Sequence, residues 1–223
     1  FSAAFVPLFA KKVEAEGEAK AVAFAEQALS VLLGALLLFL IAFELAMPLF
    51  IYVIAPGFAD QPEQVALAVE LARITFPYLL FISLVSLMGG ILNSLGRFAA
   101  AAATPILLNL AMIAAALALV PFTPTAGHAL AWGVAAAGAV QFLWLFYFCG
   151  REGLWLRLPR PKLTPEVRLL VRRALPVALG AGIYQVNLTI NTALASWLPP
   201  GSVSYLFYAD RLYQLPLGVV GIA

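Results

Sequence analysis

The 223-residue chain is 64% hydrophobic and only 11% charged, with a mean hydropathy of +0.99, whereas a soluble domain carries roughly 25% charge, so the composition is that of a membrane protein. Thirteen Lys and Arg against eleven Asp and Glu leave a net charge of +2, too slight an excess to indicate nucleic acid as a partner. One Cys and one His exclude an internal disulfide and supply no structural zinc set.

A membrane helix needs about 20 mostly apolar residues. The chain opens on such a stretch, FSAAFVPLFA, without an initiator Met or a signal-peptide n-region, and closes inside another; both ends read as cut and the sequence as a fragment. Residues 1–10 are thus expected to be the end of one helix. The polar run KKVEAEGEAK follows, then a long apolar helix over 24–55 closed by Pro56 and Gly57. A loop, DQPEQ, leads into a span over 74–96. Residues 98–150 carry no Asp, Glu, Lys or Arg but are too long for one crossing, and the prolines of PFTPTAGH divide them into two. Residues 174–209 are divided by 198–202, and the last span covers 203–223. The predicted fold class is all-α: a polytopic membrane helical bundle, the end of one helix plus six further transmembrane helices.

If KKVEAEGEAK is cytoplasmic, alternation puts Arg97 and the segment 151–173 on the same side. That side then holds 11 of the 13 basic residues, and the three outer loops hold no Lys or Arg, as the positive-inside rule requires. Arg73 begins a span near the opposite face, and Cys149 falls at the cytoplasmic end of its span, where a maleimide should reach it from inside only. In the inner segment GREGLWLRLPRPKLTPEVRLLVRR, Thr164 can cap a helix with Pro165 at its first position and Glu166 in its first turn. Trp155 and the arginines suit an interfacial position, as a topology determinant or as a binder of anionic membrane lipids.

Polar residues inside spans are the next signal. Asn187 and Asn191 share a helix face with Tyr184, and interhelical hydrogen bonding and a water-filled cavity both account for them. Asn93, Asn109 and Gln141 are expected to join helices. Glu44 has no basic neighbour in its own span; it is a coupling-ion site, a protonated acid, or a group reaching for the outer interface. His128 is expected in a solvated outer loop. Asp210 and Arg211 are different in kind: they lie ~11 to 12 Å into the last span, where each charge costs about 2.5 to 3.5 kcal/mol. Helix neighbours project about 100° apart, so at least one must look away from the other. An ion pair with another helix and a guanidinium in a wet cavity, suited to phosphate, both remain open.

Several stretches carry a resemblance: FSAAFVPLFA, IAPGFAD, ITFPYLLFISLVSLMGGILNSLGRF, TPILLN and GSVSYLFYADRLYQLPLGVVGIA. In this order, over nearly the whole chain, they resemble the MurJ/MviN family of lipid II flippases. That family is similar to the wider multidrug, oligosaccharidyl-lipid and polysaccharide exporters, whose two helical lobes enclose a cavity open alternately to each side. The resemblance implies a partial two-lobe, MATE-like fold: 1–150 the first lobe lacking its opening helix, 151–165 a basic cytoplasmic connector, and 166–223 the start of a truncated second lobe.

The implied substrate is the undecaprenyl-diphosphate-linked peptidoglycan precursor, lipid II, moved across a bacterial cytoplasmic membrane. A hydrated cavity would replace the water its head group loses, and the membrane potential or a coupling ion would drive it. Arg211, in YADRL, matches the cavity arginine that this family carries in the corresponding helix. Asp210 and Gln214 flank it, Gln214 standing where some relatives carry an acid. Asp210, Gln214, Asn187 and Asn191 complete the expected substrate-binding set. A drug or polysaccharide exporter of the same superfamily is the alternative. An integral membrane prenyl-diphosphate enzyme would need an acidic magnesium cluster, and the chain has no DDxxD-like run; no Walker motif supports an ATP-driven pump. No cofactor and no enzymatic activity are expected.

Overall fold

The computed structural model describes residues 2–199 and 201–216, and these form nine α-helices. They are α1 (Ser2–Glu16), α2 (Glu18–Ile54), α3 (Pro62–Thr75), α4 (Tyr78–Ser94), α5 (Phe98–Ala102), α6 (Thr104–Ala118), α7 (Ala126–Arg151), α8 (Pro165–Ser196) and α9 (Ser202–Pro216). Among the described residues, four stretches are long and apolar enough to cross a membrane: α2, α3 with α4, α5 with α6, and α7. α8 has the length, at 32 residues, but its polar face dilutes the apolar content. The end of the predicted last span, 217–223, lies outside the described residues, as does the side chain of Tyr184.

The helix bounds follow local chemistry more closely than the charge-free windows do. Gly17, at φ +87°, ends α1 in the left-handed conformation that a Cβ disfavours. The expected DQPEQ loop turns helical from Pro62, which sits at the first helical position of α3, and the Gln61 carbonyl accepts from the Gln64 and Val65 N–H groups. Pro77 then interrupts the predicted 74–96 span between α3 and α4. A charge-free window measures the hydrocarbon crossing, whereas the helix runs past it into the interface.

His128 departs from its expected place. Thr125 caps α7, its hydroxyl accepting from the His128 N–H, and lies 2.8 Å from His128 Nδ1. The imidazole is consequently buried in the first turn of a helix instead of solvated in a loop. Cys149 is buried as well, at 1% exposure.

The chain forms two compact units. The first comprises Phe1–Leu45 and Leu71–Gly180. Its core joins Phe5, Phe9 and Phe24, stacked with centroids 5.5 and 5.7 Å apart, to Leu87, Met88, Ile91, Leu145 and Val167. Small residues let the helices approach: Gly133 of α7 faces Ala115 of α6, Gly138 faces Tyr78 and Phe81, and Gly90 of α4 meets Phe5 and Val6 of α1. Gln141 donates to the Thr104 carbonyl at 2.7 Å, the interhelical role expected of it; Asn109 is exposed. Leu38 and Leu45 of α2 and Leu110 and Leu117 of α6 are exposed, as side chains meeting lipid would be.

The second unit comprises Ala46–Glu70 and Ala181–Ala223. Within it the Gly57 N–H donates to Ser196 Oγ at 2.9 Å. A Cβ on Gly57 would run into the Ser196 carbonyl group, so the glycine of APGF is required by the closeness of the two backbones.

Candidate functional site

The three basic inner segments meet at one end of the first unit. Lys12 donates to Glu16 at 2.9 Å and to Glu166 at 3.5 Å, and Arg97 pairs with Glu152 at 3.0 Å. The hydrogen bond from Lys12 holds the Glu16 carboxyl below its ordinary range, and the same bond raises Lys12. Glu166 is lowered by its own backbone N–H and by the Thr164 hydroxyl, while Thr164 also caps α8 through the Val167 N–H as the sequence predicts.

Two residues that sequence reasoning missed fasten the connector. Glu26 accepts from the Arg157 N–H at 2.8 Å, and Gln27 from the Lys162 N–H at 3.3 Å. Their signal was a polar pair at one edge of an otherwise apolar window. At the far side, Arg73 reaches Glu44, so this acid has a basic neighbour after all, from α3 instead of its own helix. Glu26 and Glu44 are 18 residues apart on α2, about 27 Å at 1.5 Å per residue and close to a hydrocarbon core of about 30 Å. That is the length a helix needs to bring Glu44 to the interface opposite Glu26, the third of the roles considered for it.

The expected substrate-binding residues all lie on α8 and α9 in the second unit. Asn191 Nδ2 donates to Asn187 Oδ1 at 3.1 Å, one turn apart on an exposed face. On α9, Gln214 Nε2 donates to Asp210 Oδ2 at 2.6 Å. Asp210 thus looks along its own helix, and Arg211, exposed and projected away from it, takes part in none of the ion pairs among the described residues. No hydrogen bond among the described residues links the asparagine pair to the α9 pair. Among the described residues, then, the Arg211 guanidinium keeps its donors available beside a carboxylate already occupied by an amide, an arrangement chemically suited to an anionic ligand.

The family described as "Lipid II flippase MurJ" matches residues 1–223. The chain belongs to the MurJ family. Among its relatives, a "Probable lipid II flippase MurJ" of Rhizobium meliloti is 49% identical over all of this chain and 42% of the relative's length. One of Rhizobium tropici is 47% identical over the same shares, and a "Lipid II flippase MurJ" of Burkholderia cenocepacia is 34% identical over the whole chain and 44% of its own length. The chain spans less than half the length of these MurJ relatives. As an apolar helical bundle of a bacterial family, it is a multi-pass protein of the cytoplasmic membrane, since outer membranes are crossed by β-barrels.

Proposed function

We propose that this chain forms part of a lipid II flippase, which moves the undecaprenyl-diphosphate-linked peptidoglycan precursor from the inner to the outer leaflet by alternating access. The family match over residues 1–223 carries the reading. In it, residues 1–150 are the first lobe, 151–165 the connector and 166–223 the start of the second lobe. The protein is a transporter with no catalytic chemistry or cofactor of its own. Its partners are lipid II and membrane lipids, with the membrane potential or a coupling ion as the driving force; a cytoplasm-negative potential favours outward movement of an anion by about 2.3 kcal/mol per charge per 100 mV.

Arg211 contacts the diphosphate in this reading, because a planar guanidinium pairs two donors with phosphate oxygens. Asp210 and Gln214 hold the neighbouring helix surface, and Asn187 and Asn191 offer amides to the polar head. The test is transport by the full-length protein. Arg211→Ala should abolish flipping at unchanged yield, since no acid among the described residues is stranded by its loss. Arg211→Lys should fall between the two, while Arg97→Lys, which retains the pairing with Glu152, should transport normally. Normal transport by a well-expressed Arg211→Ala protein refutes the phosphate role. A fall in yield matching the fall in activity would instead identify a buried ion pair, whose breakage costs about 3 to 5 kcal/mol.

A further inference from the structure

Pro48 lies inside α2 and has no N–H, so the carbonyl four residues before it, that of Glu44, loses the donor an α-helix normally provides. A backbone oxygen left bare at the membrane interface needs another partner. Arg73, in the last turn of α3, places Nη2 3.2 Å and Nε 3.3 Å from that same oxygen. Its Nε is 3.9 Å from the Glu44 carboxylate, the outer edge of ion-pair distance. The main-chain oxygen is thus the closer partner, and it receives two donors.

The surroundings favour a fixed geometry. Phe76, just past α3, stacks against Phe43 and Phe39 of α2 with centroids 5.6 and 6.0 Å away. These rings hold the end of α3 against α2 one turn from the carbonyl. A guanidinium suits the task better than an ammonium, because its N–H groups lie in a rigid plane and two can address the lone pairs of one oxygen.

We infer that Arg73 is a substitute donor for α2: its guanidinium replaces the N–H that Pro48 lacks and fastens α3 to α2 through a main-chain carbonyl. The carboxylate of Glu44 is secondary. Arg73 matters because position 48 is proline, a dependence that an ordinary surface ion pair would not have.

The experiment is a double-mutant cycle on the full-length protein, reading the thermal unfolding midpoint in one detergent. Arg73→Ala should lower the midpoint by about 3 °C in the native background. In a Pro48→Ala background, where the restored amide serves the Glu44 carbonyl, the same change should cost less than about 1 °C. Glu44→Gln keeps the carbonyl and should stay within about 1 °C of the parent. Equal losses from Arg73→Ala in both backgrounds overturn the inference, as does a Glu44→Gln loss as large as that of Arg73→Ala. If Arg73→Ala alone cannot be purified, recovery of the Arg73→Ala/Pro48→Ala protein supports the inference, and its failure overturns it.

Discussion

Replacing Gly57 by alanine tests whether two backbones meet in the second unit. The new Cβ would be directed at the Ser196 carbonyl group and the Trp197 ring, and main-chain atoms cannot rotate aside as a flexible side chain can. Overpacking of this kind costs about 1 to 3 kcal/mol. Moving the backbones apart also weakens the 2.9 Å bond from Gly57 N to Ser196 Oγ, worth about 1 kcal/mol. The sum is about 2 to 4 kcal/mol of local stability. Amide exchange of the full-length protein, followed by mass spectrometry over residues 55–58 and 194–197, reads this locally. At about 1.4 kcal/mol per tenfold, exchange there should accelerate roughly 30-fold or more. Ser196→Ala removes the acceptor and leaves the close approach intact, so it should cost only about 1 kcal/mol. Exchange in Gly57→Ala no faster than in the parent, or slower than in Ser196→Ala, would refute the reasoning.

Cys149 should label slowly with maleimide from both faces of the membrane and quickly only after denaturation, because burial outweighs the sidedness expected from its place in the sequence; rapid labelling of the native protein from the cytoplasmic side would contradict this. Glu26→Ala should speed tryptic cleavage after Arg157 in inside-out vesicles several-fold, since it frees the connector's N–H; a digestion time course checks it. For the Lys12, Glu16 and Glu166 cluster, both carboxyls lie below their ordinary range in the fold, so their contribution is fully present above the unfolded-state values and is lost as pH falls through the folded ones. Lys12 is raised, so its contribution is present below its unfolded value and lost only as pH rises through the folded one. Spin labels at positions 14 and 163 should accordingly report a fixed separation between about pH 6 and 9 and a broadened one below about pH 4, and a distribution unchanged in acid would count against a holding role for this cluster.

Composition and periodic apolarity were enough to establish a helical membrane protein and to place its main apolar helices. These properties rest on the cost of exposing polar groups to hydrocarbon, which is local to each stretch of chain. Thr164 as a cap, Gln141 as an interhelical donor and the need for Asp210 and Arg211 to face different ways were legible for the same reason. What depended on two distant segments meeting was not. That Glu26 and Gln27 hold the connector, that Arg73 answers Glu44, that His128 and Cys149 are buried and that Gly57 has no room for a side chain follow from neighbours far away in the chain. An acid in an apolar window announces a cost but not how it is met; the partner is chosen by which helix packs alongside, and only the tertiary structure decides that.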